Sequence, residues 1–328
     1  MRHAHGLAQG FGSRVILPMT IVCAFLVTTS SFAQVPPRFY HKTLKNSNAF
    51  PILFEALSGN ANPFDPAHTV SADADFEAEL LIAGYARTFE LFNRSATAVV
   101  LLPMGRVSSD LTVGGLTSSS SASGIGDPMF EFDINIVGPK AIGNMPDLMR
   151  YEPGFSLDLL VDLAIPIGEY DDDEALNIGQ NRWFGRIGAP IVWQLGPWVP
   201  GKRTTLEFLP SVWFFGDNDD FVGERLKTEP IFEIEGHLTR DFTKDFWGSL
   251  DATWATGGKA TLGGVSGEDI NNIGVGFTLG YTITENISLT AGYMTTVAEN
   301  DLEMDRFMIS FTYGWNSLVE GIKRLGGE

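Results

Sequence analysis

The 328-residue chain has a single cysteine, Cys23, near its N-terminus. One thiol cannot build a disulfide framework. Basic residues are scarce as well, with 22 Lys and Arg against 40 Asp and Glu, and they form no cluster that would grip phosphates. A nucleic acid partner is therefore not expected. Long apolar runs are missing too: beyond the N-terminal segment none reaches the roughly 20 residues a membrane-spanning helix needs. What is present, 44% hydrophobic and only 19% charged residues, is too apolar for a disordered acidic chain. The apolar residues are instead scattered in short runs.

The N-terminal segment has the form of a signal peptide. Arg2 and Arg14 give a basic start, Val15 to Val27 an almost unbroken apolar stretch, and Ser31-Phe32-Ala33 the small residues a signal peptidase reads. Cleavage is expected after Ala33, leaving an exported chain without cysteine. Loss of the two arginines takes the formal charge from -18 to -20. A lipid anchor on Cys23 is the competing reading. Against it, Thr20-Ile21-Val22 places no small residue beside the cysteine, and apolar sequence continues past it.

From about position 75 the chain repeats one pattern, 10 to 14 residues of alternating apolar and polar character followed by a turn rich in Gly, Asn, Asp, Ser or Pro. A period of two is the strand signature. Phe130-Glu131-Phe132-Asp133-Ile134 is a clear case, as is the row Phe307, Ile309, Phe311, Tyr313, Trp315. Eleven segments fit: 75–91, 97–108, 127–138, 155–167, 183–195, 204–216, 229–240, 246–257, 271–283, 287–297 and 306–315. Strands of globular proteins usually run five or six residues, whereas a tilted strand crossing a bilayer needs about 9 to 11. Length points to an all-β, transmembrane antiparallel β-barrel.

Connection lengths support the same fold. Short connections near 92–96, 241–245 and 284–286 alternate with long ones near 109–126, 168–182, 217–228, 258–270 and 298–305, as periplasmic turns alternate with outer loops. Only 139–154 is too long for its class. Bacterial single-chain barrels have an even strand number, so a twelfth strand is required before position 75. Phe50 to Leu57 is the available segment, although Pro51, Pro63 and Pro66 weaken it. The expected organisation is a signal peptide at 1–33, an N-terminal segment at 34–74 serving as first strand, plug or periplasmic arm, a 12-stranded barrel at 75–315 and a periplasmic tail at 316–328. That tail could form a short amphipathic helix through Leu318, Ile322 and Leu325, or fray.

A lipid-facing Arg or Lys at mid-membrane costs about 2–4 kcal/mol, so the charged row of each strand is expected to point inward. This assigns Glu77, Glu79, Arg87, Glu131, Asp133, Asp158, Asp162, Arg186, Glu207, Glu233, Glu235, His237 and Asp251 to the lumen. Lipid then receives Leu80, Ile82, Phe130, Phe132, Leu159, Val161, Phe208, Phe232, Ile234, Leu250, Phe277, Leu289, Tyr293, Phe311 and Tyr313. Trp183, Trp198, Trp247 and Trp315 lie near strand ends, where aromatic girdles sit. Two arginines cannot pair ten carboxylates. Either the lumen is an electronegative passage, or it is closed, with water, ions or loop residues completing the pairing.

Little points to chemistry. His3 and His5 leave with the leader, and His41, His68 and His237 form no metal-binding spacing such as HExxH. No GxSxG turn occurs, and alternation directs His237 inward with Glu233 and Glu235, away from lipid substrates. No enzymatic activity, cofactor or metal is expected. The Gly114-Gly115, Gly257-Gly258 and Gly263-Gly264 pairs lack a following Lys-Ser/Thr helix and read as loop residues. Asp171-Asp172-Asp173-Glu174 could recruit a divalent cation, though a solvated outer loop suffices, and Ser118 to Ser121 reads as a flexible loop.

Two connections, in three short segments, carry a resemblance. Gly124-Ile125-Gly126-Asp127-Pro128 enters one strand, Pro166-Ile167-Gly168-Glu169-Tyr170-Asp171 leaves the next, and Asn177-Ile178-Gly179-Gln180 precedes another. In order and spacing these resemble the MetA-pathway of phenol degradation family of outer-membrane barrel transporters, over about residues 70 to 315. The resemblance implies passive transport of small, aromatic or otherwise apolar compounds in a Gram-negative outer membrane, with no catalytic residue. Taken on their own, the glycines are explained by backbone angles closed to other residues. The expected partners are outer-membrane lipid and lipopolysaccharide, the barrel-assembly machinery during insertion and an unidentified small permeant. The alternative is a closed structural or partner-binding barrel.

Overall fold

A computed structural model describes residues 35–65, 67, 74–113, 116–297 and 303–319. The leader, its cleavage point, Cys23, His68 and the tail beyond Val319 lie outside the described residues. The wall is a closed antiparallel barrel of twelve strands. In chain order they are β1 (Ser47–Gly59), β2 (Ala74–Leu91), β3 (Arg94–Val113), β4 (Met129–Val137), β5 (Phe155–Ala164), β6 (Phe184–Gly188 and Ile191–Gln194), β7 (Thr204–Phe215), β8 (Ile231–Asp241), β9 (Phe246–Gly257), β10 (Ile270–Thr284), β11 (Ile287–Thr296) and β12 (Met304–Asn316).

Closure comes from β1. It pairs with β12 continuously from Ser47↔Asn316 to Gly59↔Met304, and with β2 on its other side. The Phe50-Leu57 segment is thus a full wall strand despite Pro51. Its ladder to β2 runs through Asn48↔Arg87 and Ala49↔Ala86, then skips to Ile52↔Ala83. The gap falls where Pro51 has no N–H to give, and Gly84 leaves room for the ring. A similar device serves β6, whose two pieces are separated by Ala189-Pro190. Facing them on β7 is Pro210, whose carbonyl accepts the Ala189 amide at 2.9 Å.

Both ends of the wall, Ser47 and Asn316, lie beside the short turns at 92–93, 242–245 and 285–286. The long 138–154 connection also lies at this end. It carries a helix, α1 (Met145–Arg150), capped by Asn144, whose side chain accepts the Asp147 amide. Leu44, Ile142 and Tyr151 form a small core there with Met145, Leu148, Trp198 and Val319, so the long connection packs against the residues that lead into β1 and out of β12. A helical turn begins at Ser317–Val319.

At the other end the connections are more ordered than expected. Ser118 to Ser121 do not form a flexible loop: they belong to a strand, Leu116–Ile125, that pairs with β3 from Val113↔Leu116 to Met104↔Ile125. Further short strands at Asn218–Phe221, Glu224–Thr228, Ala260–Leu262 and Val265–Ser266 make a small second sheet. In β2, β3 and the Leu116–Ile125 strand, the hairpins run beyond the 9 to 11 residues a bilayer requires.

If β1 closes the wall, a Leu53→Cys, Ser310→Cys pair in a Cys23→Ala background will form an intramolecular disulfide. The two are direct partners across β1 and β12, and antiparallel Cα spacing of about 4.5–5.5 Å suits the bond. Only multimeric or unreacted protein on a nonreducing gel would contradict the closure.

Candidate functional site

Alternation along each strand presents one row to lipid and one to the interior. Phe130, Leu159, Val161, Phe208, Phe232, Leu250, Phe277, Leu289, Phe311 and Tyr313 are exposed on the outer surface. The partner rows place Glu131, Asp133, Asp158, Asp162, Arg186, Glu207, Glu233, Glu235, His237 and Asp251 inside, all buried and all on β4 to β9.

Three expected lumen residues are elsewhere. Glu77, Glu79 and Arg87 are exposed on the outward face of β2, while Phe76, Ala78 and Leu80 turn inward. Leu80 and Ile82, which share that inner row, are therefore not lipid-facing residues. The reason is strand length. The first turns of β2 stand beyond the lipid, where the outer face meets water and Glu79 pairs with Arg106 at 3.0 Å. There the inner face packs on Leu57, Phe64, Val107, Leu176 and Ile178. Arg87 lies past the opposite edge of the apolar band, one outward position beyond Tyr85, which clusters with Phe50 and Trp315. The rule that charge points inward holds only inside the bilayer. Trp198 and Trp247 also depart from the girdle: Trp198 packs edge-on to His41 and Tyr151, and the Arg38 guanidinium lies 4.4 Å from the Trp247 ring.

The cations missing from the strands come chiefly from the chain ahead of β1. Residues 35–44 run inside the barrel, where Val35, Tyr40 and Phe39 pack on Leu160, Val192 and Leu209. The Val35 amide donates to Glu235 at 2.7 Å, and the Arg38 amide to Glu207 at 2.8 Å. Arg38 pairs with Asp241 at 2.7 Å, and His41 Nε2 donates to Glu207 at 3.1 Å. Lys42 pairs with Asp158 and lies 3.6 Å from Asp133. Arg186 bonds Asp162 at 2.6 Å and Glu235 at 2.7 Å, with Glu233 at 3.6 Å. Its guanidinium stacks 4.7 Å from the Trp213 ring. An interior acidic by strand count is thus cross-linked by residues 35–44, and residues 47–59 that follow form the first strand.

His237 Nδ1 lies 2.8 Å from Asp251, which also accepts from Ser249 and Thr278 at 2.7 Å each. Ser249 bonds the carboxylate and not the imidazole, so the group lacks the serine–histidine link of a hydrolase. Alternation alone missed two buried ion pairs: Arg306 with Glu55 at 3.0 Å, and Arg182 with Asp65 at 2.8 Å. Each was legible only as a lone arginine near a strand end.

The turn motifs assemble at the loop end. Asp127 accepts the amides of Gly168 at 2.8 Å and Gln180 at 2.7 Å, uniting all three motif regions. Burial holds its carboxyl above the ordinary range, against the pull of those amides. Tyr170 donates to the Asp220 carbonyl at 2.8 Å, Asn177 reaches the Asp171 and Glu174 carbonyls, and Gln180 donates to the Phe64 carbonyl at 3.0 Å. Pro166 lies in the turn that carries Gly168 to Asp127. Of the motif glycines, Gly124 has a positive φ of 152°. Gly168 is required for closeness instead: a Cβ there would stand 2.6 Å from the Gly126 carbonyl carbon. Asp171, Asp172 and Asp173 bring their carboxylates together on the exposed surface.

A model of the family described as "Putative MetA-pathway of phenol degradation" matches residues 59–311. The chain belongs to this family. Among solved structures it is similar to an outer membrane channel from Pseudomonas putida F1, with a TM-score of 0.69 and 21% identity over 86% of this chain and 100% of that one. The β domain of the Bordetella autotransporter BrkA also matches, at a TM-score of 0.48 and 10% identity over 83% and 100% of the two chains. No curated protein matches the sequence.

Removing Arg186 leaves Asp162, Glu233 and Glu235 without their shared cation, so Arg186→Met should cost about 3–5 kcal/mol. A lower urea midpoint for barrel unfolding in detergent checks this. Asp127→Ala should speed protease cleavage within 165–183 while leaving that midpoint within about 1 kcal/mol of wild type, because its two amide bonds tie loops and not wall strands.

Proposed function

We propose that this chain is an outer-membrane channel through which small compounds, aromatic or otherwise apolar ones among them, pass by diffusion. The observation that carries the reading is how the interior is filled. The acidic wall β4 to β9 is occupied by residues 35–44, yet a cavity of about 520 Å³ remains between that segment and the opposite wall. Phe39, Lys42 and Leu44 line it on one side, Ala49, Ala86 and Thr312 on the other. Pockets of this size suit small ligands. Support also comes from family membership, whose description names phenol degradation, and from the likeness to an outer membrane channel.

The proposed mechanism needs no cofactor and no energy source. The inserted segment is held by ion pairs and hydrogen bonds and by the packing of Val35, Phe39 and Tyr40 on the wall. Displacing it widens the passage. A closed barrel that binds a partner through its loops is the second reading, and the dense ion pairing of residues 35–44 favours it.

Planar bilayers decide between them. The channel reading expects discrete conductance from the whole protein and a several-fold rise when Arg38, His41 and Lys42 are all replaced by Ala. Silence in both proteins, with solute-loaded liposomes also failing to swell, would leave the closed barrel.

A further inference from the structure

The interior has two unlike halves. The charged half is the inner face of β4 to β9, where residues 35–44 are bonded. The other half, from β10 through β12 to β3, is almost uncharged. The inner row of β10 reads Asn272, Gly274, Gly276, Thr278 and Gly280, and that of β2 reads Leu80, Ile82, Gly84, Ala86 and Thr88. The 520 Å³ cavity lies at the turn end of this uncharged sector. A second cavity of about 730 Å³ lies at the loop end of the same strands, where Asp75, Glu77, Asp110, Glu303 and Asp305 make its lining acidic beside Phe76 and Met304.

On the inner face of β11 and β12, between the residues that line the two cavities, stand two methionines. Met294 and Met308 are buried there and lie over a floor of glycines: a Cβ at Gly292 would stand 2.8 Å from Met308 Cε, and one at Gly274 3.4 Å from Met294 Sδ. Beside them the Glu55–Arg306 pair bridges β1 and β12, with Arg306 Nη2 3.4 Å from Met308 Sδ. Methionine has three rotatable side-chain bonds and a polarisable sulfur, so it yields to irregular apolar shapes. A glycine floor gives those side chains somewhere to swing. A hydrated ion meets thioethers that cannot replace its water, which favours an apolar or aromatic solute over a salt ion.

We propose that the permeant's route follows this uncharged sector, and that Met294, Met308 and the Glu55–Arg306 bond are its constriction. The proposal rests on the channel reading above. It places selectivity away from the buried carboxylates of β4 to β9.

Single cysteines test the route in a Cys23→Ala background. Thr290→Cys and Ser310→Cys lie in the uncharged sector, Thr205→Cys and Ser211→Cys in the acidic one. Methyl methanethiosulfonate should modify the first pair at least ten-fold faster than the second and cut flux through the modified protein. Met308→Ala should raise phenol uptake into proteoliposomes several-fold, and the double change Glu55→Gln, Arg306→Gln keeps the test available if that variant fails to fold. Faster labelling of Thr205→Cys and Ser211→Cys, with flux intact, would overturn the route and leave the channel standing. Absence of flux in wild type and in the Arg38, His41, Lys42 triple variant would overturn the channel reading and the route with it.

Discussion

A β-sheet in lipid has to close, because an unpaired edge would leave backbone N–H and C=O groups with no partner in hydrocarbon. In this chain closure falls to β1, the strand with the weakest sequence signature, which zips to β12 along its whole length. Once the sheet is closed, each wall residue faces either lipid or interior. The exposed apolar rows and the buried charged rows are two consequences of that one constraint.

Closure also creates the interior's electrostatic problem. Carboxylates buried on β4 to β9 outnumber Arg186, the one buried arginine of those strands, and an unpaired buried charge costs several kcal/mol. Folding of residues 35–44 into the barrel supplies Arg38, His41 and Lys42 where they are needed. The same segment that leads into the closing strand thus supplies part of the charge pairing, so wall and inserted segment are coupled through the chain at Leu44 to Ser47. The uncharged half of the interior has no such demand, and it is there that space remains.

Much of the fold was legible in the alternation of apolar and polar residues: the strand pattern, the two classes of connection and the inward direction of ten of the thirteen proposed lumen residues. The reading failed where a local rule was carried past its physical range. Glu77 and Glu79 belong to a strand that outruns the bilayer, so the lipid argument does not reach them. Trp198 and Trp247 were placed by position near strand ends, yet they pack inward against His41 and Arg38, contacts made by a segment more than 150 residues away. Gly168 showed as a turn residue, but what fixes it is the closeness of a second turn at Gly126 and Asp127.

The sequence by itself determined the alternation, the strand lengths and the acidic excess, because each follows from neighbours along the chain and from the thickness of a bilayer. Only the tertiary structure decided which end of the chain closes the barrel, where the balancing cations come from and which half of the interior stays uncharged. Those depend on residues brought together across the lumen, as Lys42 is to Asp158 and Glu55 to Arg306, and no local spacing encodes such meetings.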